Sequence, residues 1–91
     1  MTYRVIPAKS VDKVLSKWKK SNPTLFNKYK KIYLELMMHP RTGIGHPEPL
    51  IGGCGVTYSR HIDAHNRIQY DIHDDTVTVL VLTVEGHYGD K

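Results

Sequence analysis

The sequence predicts an α+β fold in the order β-α-α-β-β-β, an antiparallel sheet with an N-terminal helical hairpin packed on one face. Three observations predict it. Apolar residues recur at helical spacing through residues 11–36, and they alternate with period two beyond residue 56. Between these regions, residues 40–55 hold three of the five prolines and five of the seven glycines, a composition that neither a helix nor a central strand survives. At 91 residues the chain is expected to form one domain, residues 1–91.

Each element has its own reason. Tyr3-Arg4-Val5-Ile6 reads as a short strand stopped by Pro7. Ser10 can cap a first helix that puts Val11, Val14, Leu15 and Trp18 on one face and Lys13, Lys17 and Lys20 on the other. Asn22-Pro23 supplies a second N-cap and a proline at the first helical position. The helix that follows carries a stripe of Leu25, Tyr29, Ile32 and Leu36, with Tyr33 beside it, and ends at His39-Pro40. Val56–Ile62 is predicted as a strand, followed by turn chemistry in Asp63-Ala64-His65-Asn66. Ile68, Tyr70 and Ile72 then share one face of a strand, and Arg67, Gln69 and Asp71 the other. After a second turn at 73–76, Val77–Val84 is apolar and β-branched enough to predict a central strand covered on both faces.

The charge is divided along the chain. Thirteen Lys+Arg against nine Asp+Glu give +4 overall. Residues 1–47 hold ten Lys/Arg and two acids, a balance of +8, whereas residues 48–91 hold three and seven, a balance of −4. A basic first half suits a polyanionic partner, with the helix lysines as a phosphate-tracking surface. No apolar run reaches 18 residues, and the N-terminus lacks a signal-peptide stretch, so no membrane partner and a cytoplasmic location are expected. A lone Cys54 offers neither an internal disulfide nor a cysteine-rich zinc site.

Several residues carry candidate chemistry. Glu48 lies between Pro47 and Pro49, which restrict the backbone around a carboxylate fit to act as general base. The competing reading is a solvated loop glutamate. Arg67 and Arg60 each present a planar fork suited to phosphate oxygens; alternatively, Arg67 is a surface cation paired with Asp71 or a cross-strand acid, and Arg60 poses the same choice. Six histidines are present; His61 and His65 are four apart, but at a strand end and turn that spacing does not put both on one face, and no HExxH or cysteine-rich pattern accompanies them, so no metal and no cofactor are expected. His87, just past the apolar strand and beside Tyr88, is a candidate titrating group.

Taken together, Gly43-Ile44-Gly45-His46-Pro47-Glu48-Pro49-Leu50, Tyr58-Ser59-Arg60-His61-Ile62, His65-Asn66-Arg67-Ile68-Gln69-Tyr70 and His87-Tyr88 resemble the YoeB (Txe) toxins of the RelE-like superfamily of mRNA interferases. Their frame is G-x-G-x-P-E-P-L, W-S-R-R-I, E-H-R-L-V-Y and a C-terminal H-Y. The resemblance implies a RelE-like fold and a ribosome-dependent endoribonuclease that cuts mRNA in the A site. It implies a cognate YefM-like antitoxin, the ribosome and mRNA as partners; a homodimer stays open. By motif match Glu48 is the general base, Arg67 the phosphate-stabilising arginine and His87 the general acid, with Tyr88 adjacent. Arg60, His46 and His61 fall at positions that would bind RNA phosphate.

The chain also departs from that frame. His46 replaces the lysine before Pro-Glu-Pro, Ile51 a basic residue after the leucine, Tyr58 the tryptophan, and His61 the second arginine; Gly89-Asp90-Lys91 extends past the terminal tyrosine. Histidine titrates near pH 6.5, so acidification is expected to restore some of the missing positive charge. Two other classes stay open: a catalytically inactive toxin fold acting as an antitoxin-binding co-repressor, and a ribosome-independent ribonuclease.

Overall fold

A computed structural model of the chain describes residues 2–50 and 56–84. The elements are β1 (Arg4–Pro7), α1 (Lys9–Ser21), α2 (Pro23–Met38), β2 (Glu48–Pro49), β3 (Thr57–His61), β4 (Arg67–His73), a 3-10 turn (Asp74–Thr76) and β5 (Thr78–Thr83). The strands form one sheet in the order β1-β5-β4-β3-β2. The α+β class and the helical hairpin are as expected, and so is the antiparallel pairing of the last three strands, which form a meander.

The sheet is mixed, which corrects the expected all-antiparallel arrangement. β2, β3, β4 and β5 pair antiparallel in sequence, but β1 runs parallel to β5, with Arg4 opposite Thr78 and Ile6 opposite Leu80. A short turn can join only antiparallel neighbours. No turn joins β1 to β5; the helical hairpin and the whole meander lie between them, so the path of the helices sets the direction of β1.

The start of α1 is a second correction. The helix begins at Lys9, with Ala8 as an N-cap that makes no side-chain bond, so Ser10 is not the cap. Sheet pairing explains this. The Ala8 N–H donates to Val81 O at 2.9 Å, and the Ala8 carbonyl already accepts from Val11 N and Asp12 N at 3.0 and 3.1 Å. Pinning Ala8 to β5 starts the helix before a capping side chain is reached. Asn22 does cap α2, its Oδ1 accepting from Leu25 N at 3.3 Å, with Pro23 at the first position.

Both helices cover the same face of the sheet. Val11 and Trp18 of α1 and Leu25, Tyr29, Ile32 and Leu36 of α2 are buried against Ile68, Tyr70, Ile72, Val79 and Val81. Full burial of such side chains is worth about 1.5–3 kcal/mol each. Among the described residues β5 is fully covered on this face alone, not on both as expected: Val79 and Val81 are inaccessible, whereas Leu80 on the other face is half-buried and Leu82 is 40% exposed. A residue doubled against Gln69 bulges β5 at this point, where Tyr70 faces Val81 and Gln69 faces Thr83. The described residues place no helix on the other face, and that open face carries the candidate site.

Candidate active site

The site follows from pleat and register. Ile68, Tyr70 and Ile72 point to the helices, so Arg67, Gln69 and Asp71 point to the open face. Directly paired residues share a face. Ser59 pairs with Gln69 and Glu48 pairs with Ser59, so Glu48, Ser59 and Gln69 form one row across three strands. His61 pairs with Arg67 and forms the next row. Two inter-strand steps of about 4.8 Å and one two-residue step of about 6.8 Å along β4 put the Glu48 and Arg67 backbones about 12 Å apart in the sheet, a gap that the two side chains can close around a phosphodiester. Glu48 is not a loop residue but belongs to an edge strand. Among the described residues neither Glu48 nor Arg67 makes a hydrogen bond or ion pair with another side chain. The Asp71 carboxylate instead accepts from Thr57 Oγ at 2.6 Å.

His46 joins this group from the loop. It holds a left-handed backbone, φ +52°, and its ring meets that of His61 edge-on with centroids 6.5 Å apart. A non-glycine residue in that region is uncommon, though histidine tolerates it better than most. Three groups able to carry positive charge, His46, His61 and Arg67, thus gather near Glu48.

Arg60 does not join them. It is completely buried, and the pleat turns it to the helix side opposite Ile68. All five of its N–H groups are used. Nε donates to Tyr70 Oη at 2.9 Å; Nη1 donates to Glu35 Oε1 at 2.7 Å and Ile44 O at 3.3 Å; Nη2 donates to His39 O at 2.6 Å and Thr42 O at 2.8 Å. This corrects the expectation that Arg60 meets a phosphate, because no donor is left for one. Glu35 and Tyr70, neither of which was singled out in the sequence, complete the cluster. Glu35 Oε1 also accepts from Ile44 N at 2.9 Å, and Tyr70 Oη donates to Pro40 O at 2.7 Å. Burial pushes the Tyr70 phenol pKa up, although Arg60 opposes the shift.

The loop glycines now have a reason. Gly43 and Gly45 hold φ of +120° and +81°. A Cβ on Gly43 would overlap the Glu35 carboxylate, and one on Gly45 would collide with the His61 carbonyl. From outside, Arg41 ties the loop to the 3-10 turn: its Nη2 lies 2.7 Å from Asp74 Oδ2, and Tyr3 Oη donates to Asp74 Oδ1 at 2.6 Å. These two donors hold the Asp74 carboxyl below its ordinary pKa. At the β3–β4 turn, Asp63 accepts from the N–H groups of His65 and Asn66 at 2.8 and 2.7 Å. Burial alone would raise its pKa, but these bonds outweigh burial and lower it.

A profile of the family described as YoeB-like toxin of bacterial type II toxin–antitoxin system matches residues 9–88. The chain belongs to that family. A curated YoeB toxin of Mycobacterium bovis is 46% identical over 46 residues, 50% of this chain and 54% of that protein. The chain thus spans about half the length of the curated relatives it matches over these residues. Among solved structures, a YoeB/ParE toxin from Agrobacterium tumefaciens superposes with a TM-score of 0.85 at 24% identity, over 93% of this chain and 99% of that one. The YoeB dimer of Staphylococcus aureus superposes with a TM-score of 0.83 at 18% identity, over 97% and 100%. At these identities the structures establish a common fold. The open-face row, the buried arginine and the glycine loop therefore sit on a YoeB-like scaffold. Of the family motif residues, His87 and Tyr88 lie outside the described residues, as does Ile51. No helix among the described residues is long and apolar enough to cross a membrane.

Proposed function

We propose that this toxin is a ribosome-dependent endoribonuclease that cuts mRNA in the A site. The reading is carried by one observation: strand pairing sets Glu48, His61 and Arg67 on one face of the sheet that the helices leave open. Glu48 takes the proton of the RNA 2′-OH as its oxygen attacks phosphorus. Arg67 stabilises the added charge on the phosphorane-like transition state, an effect typically worth 10²–10³ in rate. The P–O5′ bond breaks and His87, beside Tyr88, protonates the leaving oxygen. The products are a 2′,3′-cyclic phosphate, which can open to a 3′-phosphate, and a 5′-OH.

The helix lysines Lys9, Lys13, Lys17, Lys19, Lys20, Lys28, Lys30 and Lys31 are all exposed, on the side of the sheet away from this face. Ribosomal RNA would meet the chain there, while mRNA enters the open face. A YefM-like antitoxin is the proposed partner, supported by the fold match to the YoeB–YefM complex of Staphylococcus aureus. The S. aureus YoeB dimer supports a homodimer in the same way. The cytoplasm, where ribosomes work, is the proposed location.

Toeprinting on translating ribosomes tests the reading. Wild type should produce A-site cuts, and Glu48→Ala, Arg67→Ala and His87→Ala should each abolish them while remaining folded. Full cleavage by all three variants would sink the mechanism. Cleavage of naked mRNA would point to a ribosome-independent nuclease, and growth inhibition without any cleavage to a different mode of toxicity.

A further inference from the structure

We propose that Arg60, Glu35 and Tyr70 act together as positioning residues for Glu48, holding the 39–45 loop so that β2 presents the carboxylate to the open face. The proposal rests on the reading of Glu48 as general base. It starts from how little β2 can do for itself. The strand is two residues long, and Pro47 and Pro49 on either side of Glu48 carry no N–H. Beyond the pairing of Glu48 with Ser59, the next backbone bond is Leu50 N to Thr57 O at 2.9 Å. An edge with so few donors cannot by itself fix a side chain to within the tolerance that catalysis needs, about 0.5 Å.

The chain leading into β2 is fixed from the other side of the sheet instead. Between α2 and Glu48 the carbonyls of His39, Thr42 and Ile44 accept from Arg60, and that of Pro40 accepts from Tyr70. The Gly45 carbonyl accepts from His61 N at 2.7 Å, and Ile44 N donates to Glu35. One buried guanidinium, oriented by a carboxylate and a phenol, thus gathers three carbonyls of an otherwise irregular segment. A guanidinium offers this because its five donors lie in one rigid plane; a lysine in its place offers three on a flexible stem. Glu48 lies three residues beyond the last gathered group, Gly45, and two of the three are the restrained His46 and Pro47.

A misplacement of about 1 Å can cost about 10²-fold in rate. Tyr70→Phe keeps the ring against Tyr58 and removes only the hydroxyl that links Arg60 to Pro40. Glu35→Gln keeps an oxygen for Ile44 N and removes the charge facing Arg60. The test compares both variants with wild type and with Ile32→Val, a core change away from the loop, in single-turnover cleavage of programmed ribosomes. Amide hydrogen exchange is followed in parallel. Tyr70→Phe and Glu35→Gln should each lower the cleavage rate about tenfold or more with half-saturating concentration unchanged. The Ile44 and His61 amides should exchange faster than the core amides do. Ile32→Val should unfold at lower denaturant yet cleave at the wild-type rate. Arg60→Lys, if folded, should not rescue the rate. Wild-type rates in both Tyr70→Phe and Glu35→Gln, or rate losses that only track the folded fraction, would overturn the proposal. A wild-type chain that cleaves nothing overturns the functional reading instead, and the exchange data still decide whether the clamp holds the loop.

Discussion

Arg60 and Arg67 lie on neighbouring strands, and both looked from the sequence like phosphate binders. Arg60 points to the helices, is completely buried, and donates all five N–H groups inside the fold. Arg67 points to the open face and has no hydrogen-bonded side-chain partner among the described residues. The difference is one of pleat parity: along a strand each step of one residue changes the face. The same residue type therefore organises the loop from one side of the sheet and is available to a ligand on the other. A third arginine, Arg41, shows an intermediate case, exposed at the rim but bonded to Asp74.

The contrast can be broken most severely at Arg60. Arg60→Met should destabilise the fold by about 3–5 kcal/mol in urea unfolding, because Glu35 and the loop carbonyls lose their donors together. Arg67→Met should stay within about 0.5 kcal/mol of wild type while abolishing cleavage. Equal stability losses at the two sites would erase the distinction between the faces.

A smaller effect is expected where the loop crosses close to β3. Gly45→Ala must hold a residue with a Cβ at φ +81° against the His61 carbonyl, which costs about 1–2 kcal/mol before the contact is counted. Its unfolding midpoint should fall, and the His61 amide should exchange faster. An unchanged midpoint would mean that the loop is held less tightly than its contacts imply.

The smallest effect concerns the rim. Asp74 has a lowered pKa in the folded chain, so its contribution to stability is present above the ordinary carboxylate value of about 4 and is lost as pH falls through the lowered one. Wild type and Asp74→Asn should differ by a constant margin between pH 5 and pH 7 in thermal unfolding, and the margin should close below pH 4. A margin that widens on acidification would show that the Arg41–Asp74 bridge is not its source.

The helices were legible because their evidence is local. The stripe Leu25, Tyr29, Ile32 and Leu36 is the buried face of α2, and Asn22 caps it as its side chain predicts. The meander was legible from alternation at Ile68, Tyr70 and Ile72. The parallel pairing of β1 was not, because nothing within Arg4–Pro7 encodes the direction of a strand seventy residues away. Nor was the start of α1, which a sheet bond at Ala8 decides. Glu48 and Arg67 were named from the sequence, but their common face depends on the register of β2 on β3 and of β3 on β4.

By itself the sequence determined the two helices and four of the five strands, that the segment between them would be built on glycine and proline, and the toxin family to which the chain belongs; the short edge strand β2 within that segment it did not show. Periodicity, caps and motif spacing are properties of neighbouring residues. Only the tertiary structure decided that Arg60 serves the loop and Arg67 the open face, and that Glu35 and Tyr70 belong with the first. Those assignments join residues from α2, the loop, β3 and β4. The burial and donor geometry that separate one arginine from the other exist only after those elements have packed.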